Sequence, residues 1–202
     1  MPPSLACPNC GAPLRIESAF TTFLVCPYCG QSLFVHDTGV DLAGQSAKLA
    51  DYPSRLAVGA AGQMKGQGFK TLGRVRYEKE DGYWDEWFVQ LASLQVAWLL
   101  EDEGVLTLVF KTALTTPVPP FEQVRVGSFL SVGQWRVFVS EKGQAQMSGA
   151  EGQVAMTAPP GHAIHYLVGN ANNKAVQIVL DDRGLTLYTG QPLEFGDIVM
   201  TQ

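Results

Sequence analysis

The chain has 202 residues, room for one small module plus a medium domain, or for two small domains. Apolar residues make up 46% and charged residues 16%, which fits a body with a buried core, and 21 glycines with 12 prolines favour many turns and short strands over long helices. A net charge of −5 without a basic run argues against nucleic-acid binding, which depends on neutralising phosphates with Lys and Arg.

The chain starts with a segment (1–6) that has neither a basic n-region nor an apolar h-region, so no secretory signal is expected. Two knuckles follow, Cys7-Pro8-Asn9-Cys10-Gly11 and Cys26-Pro27-Tyr28-Cys29-Gly30. Two residues between cysteines let both sulfurs reach one ion. Pro fixes φ at the turn, and Gly after the second Cys accepts a positive φ. Cys7, Cys10, Cys26 and Cys29 at this separation predict a tetrahedral, structural Zn²⁺ site over residues 1–36. A rubredoxin-type iron site has the same ligands and a disulfide pair is the other alternative, while four thiolates close the sphere against catalysis. A unit this small needs the metal for stability, on the order of 10 kcal/mol in apparent binding energy. A hairpin of 13–16 with 21–25 and a third strand at 32–36 are expected. Arg15 is the only cation before Asp37, which leaves a folded cap or protein-docking module as the expected role.

Residues 37–54 read as a linker with a short helical turn near 45–49. A first β segment spans 55–111, with strands at 69–77, 84–94, 96–101 and 105–110, the last two flanking Asp102-Glu103-Gly104. A Pro-rich connection occupies 112–123. The second β segment, 124–202, has strands at 129–132, 135–140, 164–168, 175–180, 185–188 and 193–195. Leu56-Ala57-Val58-Gly59 with Gly66, Phe69 and Leu72 parallels Val124-Arg125-Val126-Gly127 with Gly133, Trp135 and Val137, so the segments read as related. The expected fold is mainly β: a zinc ribbon plus an antiparallel β body of two related small barrel or sandwich halves, forming one core or two.

Leu56, Val58-Gly59, Gly62, Gly66, Phe69, Leu72-Gly73-Arg74-Val75 and Tyr77 lead into Trp84-Asp85-Glu86-Trp87, Trp98-Leu99, Glu101 and Gly104. This run resembles the bacterial family known as domain of unknown function 4178. Gly149-Ala150-Glu151-Gly152, Pro159-Pro160-Gly161 and Tyr188-Thr189-Gly190-Gln191 resemble its second half. The family tends to have an Asp-Gly turn before the Trp-Leu pair, where this chain has Ser93-Leu94-Gln95-Val96. The resemblance implies no established activity. It implies company with polyamine-synthesis and membrane-stress genes, hence an accessory role.

In a strand at 84–91, Trp87, Val89 and Leu91 share one face, and Trp84, Glu86, Phe88 and Gln90 the other. Aromatic rings beside carboxylates suit an organic cation, so Trp84, Glu86 and Trp98, with Glu101, are candidates for a ligand site. Trp84, Glu86, Trp87, Trp98 and Glu101 are also candidates for a partner-binding face, and the plainest expectation is that both faces pack under neighbouring strands. His162 and His165 are three apart, which points them to opposite strand faces, and no acid lies near them in sequence. Glu101-Asp102-Glu103 and Asp181-Asp182-Arg183-Gly184 read as solvated turns. No phosphate loop and no Ser-His-Asp or Cys-His arrangement is legible.

The expectation is therefore a non-enzymatic adaptor or scaffold that engages protein partners. The alternative is a binding protein for a cationic metabolite with an aromatic and acidic β-barrel site. Thiolate ligation favours a reducing compartment, so the cytoplasm is expected. The apolar stretches at 97–100 and 105–110 are too short to span a bilayer, leaving indirect membrane association open.

Overall fold

The structure is a computed structural model that describes residues 5–45, 48–50, 53–114, 116–156 and 159–201. The expected helical turn near 45–49 includes positions outside the described residues. Each knuckle carries its own strand pair. β1 (Leu5–Ala6) pairs with β2 (Pro13–Leu14), and β3 (Phe23–Val25) pairs with β4 (Gln31–His36). The expected pairing of 13–16 with 21–25 is therefore not formed: a knuckle reverses the chain within a few residues, so its flanks are each other's nearest partners. The stretch read as linker contains β5 (Gly39–Gln45), which pairs with β4.

The first β segment folds as β6 (Ala61–Met64), β7 (Gln67–Lys79), β8 (Gly82–Leu91), β9 (Val96–Asp102) and β10 (Val105–Thr112). The second repeats that order as β11 (Phe129–Val132), β12 (Trp135–Val154), β13 (Ala163–Ala171), β14 (Lys174–Asp181) and β15 (Gly184–Leu193). All neighbours are antiparallel. β10 pairs with β15 and β12 with β7, so β7–β10 and β12–β15 close into one eight-stranded barrel. Each segment supplies half of the ring. A final strand, β16 (Ile198–Met200), adds to β6.

The two halves share their local bonding at a constant offset along the chain. Gly59 N–H donates to Thr71 O at 2.8 Å, as Gly127 N–H does to Val139 O at 2.8 Å. Thr71 N–H donates to Ala60 O at 2.8 Å, and Val139 N–H to Ser128 O at 2.9 Å. Gly59 and Gly127 take φ of 85° and 81°, a left-handed turn that a β-carbon would strain. The kernel shared in sequence is thus one structural unit used twice.

β12, with 20 residues, is far longer than the strand expected at 135–140. It pairs with β13, then β7, then β3, with register shifts between Val139 and Glu141 and between Met147 and Gly149. Its start also pairs with β11, and because bulges bend a strand and raise its twist, one strand serves all four neighbours.

Alternation along each strand produces two clusters inside the barrel, one of them around Trp84 and Tyr166, and two outside it. Val75, Phe88, Trp98, Val109 and Met147, from five different strands, meet in one cluster, as residues facing an enclosed lumen must. Outside, Trp87, Val89 and Leu99 pack under Leu56, Met64 and Ile198. On the other half, Val137, Ile178 and Leu187 pack under Val124 and Val132. Leu56 and Val124 hold matching positions in the repeated kernel, with exposures of 4% and 5%. No helix is long and apolar enough to cross a membrane among the described residues.

Candidate functional site

The four cysteines converge as their spacing predicts. Gly11 N–H donates to Cys7 O at 2.8 Å and Gly30 N–H to Cys26 O at 2.9 Å, with φ of 73° and 74° at the two glycines. The sulfurs of Cys7 and Cys29 stand 3.8 Å apart and those of Cys10 and Cys26 3.9 Å. All four lie within 4.8 Å of one another. Thiolates bound at about 2.3 Å to one tetrahedral ion stand about 3.8 Å apart, so the donor set fits a four-coordinate metal. The Asn9 side-chain amide donates to Cys29 Sγ at 3.5 Å and leads the effects that lower the Cys29 pKa to about 6, favouring the thiolate that a metal requires.

The ribbon is built into the barrel rather than hung from it. β3 extends the sheet at the end of β12, with Leu24 opposite Gln153 and Phe23 opposite Val154. The Gln153 side-chain oxygen accepts from Glu17 N–H at 2.9 Å and Thr21 Oγ1 at 3.2 Å, while its Nε2 donates to Arg15 O at 2.8 Å. Phe23, fully buried, joins the lumenal cluster of Phe88 and Met147, with Phe34 packed against it. The knuckle Cys26–Cys29 is the turn of the hairpin whose other end carries Phe23 and Phe34.

Inside the barrel, Trp84 and Glu86 point inward from β8 and Trp98 from β9. Trp84 Nε1 donates to Glu86 Oε1 at 3.0 Å, and Gln177 Nε2 donates to the same oxygen at 3.2 Å. These three side chains partition the lumen. On one side lies a cavity of about 360 Å³ lined by Glu86, Tyr77, Trp98, Tyr188, Asp181 and Arg183. On the other lies a smaller cavity of about 130 Å³, lined by Trp84, Gln177 and Leu100. Lys79, Glu141 and Tyr166 also line it, with Lys79 Nζ donating to Glu141 Oε1 at 3.0 Å and Tyr166 OH to the same oxygen at 2.7 Å. Tyr77 stacks on Trp84 with ring centroids 5.2 Å apart, and Tyr166 meets the opposite side edge-on at 5.0 Å.

The Glu86 residue is 9% exposed, and no basic side chain forms an ion pair with it among the described residues. Burial raises its carboxyl above the ordinary carboxylate range, with the Trp84 and Gln177 hydrogen bonds acting the other way. Burial, reinforced by the Glu86 charge, likewise raises the hydroxyls of Tyr77 and Tyr188. The site is a carboxyl group at the end of an aromatic-walled cavity, with the Arg183–Asp181 ion pair at its rim.

The other residues singled out in sequence lie elsewhere. Trp87 points outward from β8 and is 2% exposed, and its indole N–H donates to Glu101 Oε2 at 2.8 Å. Ser54 Oγ also donates to that carboxylate, at 2.8 Å to Oε2. Glu101 is therefore an internal acceptor rather than a member of a solvated run. Trp84, 6% exposed, and Trp98, 8% exposed, are covered as well, so these rings offer no surface to a partner. Both faces of β8 are packed, one in the lumen and one under the outer layer. His165 packs edge-on against Phe121 with centroids 4.5 Å apart. His162 faces Asp181 instead, so the two histidines do not converge.

A buried ionic cluster escaped the sequence reading. Arg76 grips Asp85 with Nε to Oδ1 at 2.8 Å and Nη2 to Oδ2 at 2.6 Å, and Arg74 reaches Asp85 at 3.5 Å and Glu151 at 2.9 Å. Arg74 also lies over the Trp87 ring, 5.0 Å from its centroid. Its signal was the alternation of Arg74 and Arg76 on one strand, opposite Asp85 on the next.

The family model described as Domain of unknown function (DUF4178) matches residues 57–195, which cover all eight barrel strands and β6 and β11 but not the cysteine ribbon. No curated protein and no solved structure matches the chain.

Proposed function

Since the chain belongs to the DUF4178 family, whose description assigns no activity, we propose from its geometry a non-enzymatic binding protein for a small organic cation. The cation sits in the lumenal cavity against Glu86, and the cysteine cluster holds a structural Zn²⁺ ion. The observation that carries this reading is Glu86. Its Oε1 accepts two hydrogen bonds, no ammonium or guanidinium forms an ion pair with it among the described residues, and Tyr77, Trp98 and Tyr188 line the space beside it.

An unpaired carboxyl group inside a protein is unfavourable unless a partner arrives or it stays protonated. Ring faces and a carboxylate both attract an organic ammonium. The cavity, at about 360 Å³, is within the size range of small-molecule sites. Two cations line the cavity, Lys111 and Arg183, and Arg183 is engaged by Asp181.

The test is thermal stability across a panel of amines, spermidine among them, with neutral isosteres as controls. A binding amine at a hundred times its Kd stabilises by about 2.7 kcal/mol. The expected result is an upward Tm shift that persists at moderate salt and disappears in Glu86→Gln. No shift with any amine, or a shift that Glu86→Gln retains, would remove the proposal.

A further inference from the structure

His162 stands immediately before β13, and Asp181 ends β14 with Asp182 following in the turn to β15. The β13–β14 register, with His165 opposite Leu180, carries His162 to the level of this turn. His162 Nε2 lies 3.4 Å from Asp181 Oδ2 and 3.6 Å from Asp182 Oδ1. Both separations are longer than an N–H···O hydrogen bond, which spans about 2.7–3.2 Å. Nε2 is nevertheless buried from solvent and has no hydrogen-bond partner.

Ligand atoms that share one ion at about 2.0–2.2 Å stand about 3.0–3.6 Å apart, depending on coordination number. The two His–Asp separations are therefore slack for a hydrogen bond and fit ligands of one cation, and all three donor atoms lie within 4.8 Å of one another. We propose that His162, Asp181 and Asp182 form a second metal site, distinct from the four cysteines, for a first-row divalent ion such as Zn²⁺. One imidazole nitrogen and two carboxylates favour such an ion over Mg²⁺ or Ca²⁺, which prefer all-oxygen shells. Three protein ligands leave coordination positions open. Asp181 also lines the larger lumenal cavity, so the ion sits at its mouth.

Arg183 is the competitor. Its Nε donates to Asp181 Oδ2 at 3.0 Å, its Nη2 bonds the same oxygen, and its Nε stands 3.7 Å from Asp182 Oδ1. An ion bound by these carboxylates takes the place of the guanidinium there. Removing Arg183 should therefore strengthen metal binding, whereas a site that is only an ion-paired turn gains nothing from the loss. This inference stands apart from the cavity's ligand.

The experiment is calorimetric titration of Zn²⁺ into the full chain already carrying one metal at its cysteines, repeated with Co²⁺ and read by absorption. The expected result is one further ion per chain, with a Co²⁺ spectrum free of thiolate charge transfer. His162→Ala and Asp181→Asn should each weaken this second binding at least tenfold. Arg183→Gln should tighten it several-fold. Asp182→Asn, whose side chain is 75% exposed, should weaken it without disturbing the fold. A total of one ion per chain, or a second ion held equally well by His162→Ala and Asp182→Asn, would overturn the site.

Discussion

Gly73 and Gly152 face each other as register partners across the seam that closes the barrel, and neither has room for a β-carbon. A β-carbon at Gly73 would stand 2.4 Å from Gln153 O, and one at Gly152 would stand 2.4 Å from Leu72 O and 3.0 Å from Gly73 Cα. Gly152 also adopts φ of 68°, so two constraints meet there. Gly73 isolates the close approach, because its backbone is ordinary. Gly73→Ala should destabilise the fold by about 3 kcal/mol, the upper range for overpacking, since the obstructing atoms are backbone. Gly39→Ala, with open space around it, should stay within about 0.5–1 kcal/mol of the parent. Urea unfolding of the three proteins checks both values.

The ribbon's hairpin joins the cysteine cluster to the lumen. Cys26→Ser should abolish the tightly held ion, and metal analysis should read well below one per chain. Amide exchange should then accelerate across β3 and β4, because Phe23 and Phe34 lose the fixed turn that orients them. β8 and β9, held by their own ladder, should stay protected. Unchanged protection in β3 and β4 would show that the barrel alone orders the ribbon.

Glu86 sets a pH dependence with a defined sign. Its folded-state pKa is raised, chiefly by burial, so the folded protein holds the proton more tightly than the unfolded chain. Stability from this group is full below the unfolded carboxylate value, about 4.3, and is lost as pH rises through the folded value. Glu86→Gln should flatten that loss. The variant should match the parent at low pH and exceed it at neutral pH in the absence of ligand. Chemical denaturation from pH 4 to 8 measures this, and parallel curves would contradict it.

Asp85 accepts the hydrogen bonds of the buried Arg76 and is an ion-pair partner of the buried Arg74. Asp85→Asn leaves Arg74 and Arg76 charged beneath the surface, and breaking such a pair costs about 3–5 kcal/mol. The loss should depend little on salt, because the group is shielded from solvent. Glu17→Gln, which removes the exposed ion pair with Lys70, should cost less than about 1 kcal/mol. Denaturant midpoints at low and high salt separate the two.

Much of the local structure was legible because it is governed by near neighbours. Two Cys-Pro-x-Cys-Gly knuckles specify their own turns, so the convergence of Cys7, Cys10, Cys26 and Cys29 followed from spacing. The hairpin at Glu103-Gly104, with φ of 48° and 80°, followed from its turn residues. The repeated kernel around Gly59 and Gly127 was also visible. β12 was not, because Ser140–Gln153 is polar and glycine-rich and lacks simple alternation. Its strand is imposed by three partners and two bulges. The set Trp84, Glu86, Trp87, Trp98 and Glu101 mixed two places, since β8 is buried on both faces and its alternation does not say which is the lumen.

The four cysteines by themselves determined a closed, metal-sized thiol cluster, since every constraint on it lies within a few residues of a ligand. The tertiary structure decided where the ribbon sits: its β3 strand joins β12, and Phe23 joins the lumenal cluster. It also decided the site. Glu86 meets Gln177 only because β10 pairs with β15 and β12 with β7, whereas His162 meets Asp181 through the β13–β14 hairpin. Ring closure depends on long-range pairing and close packing at Gly73 and Gly152, which no local pattern encodes.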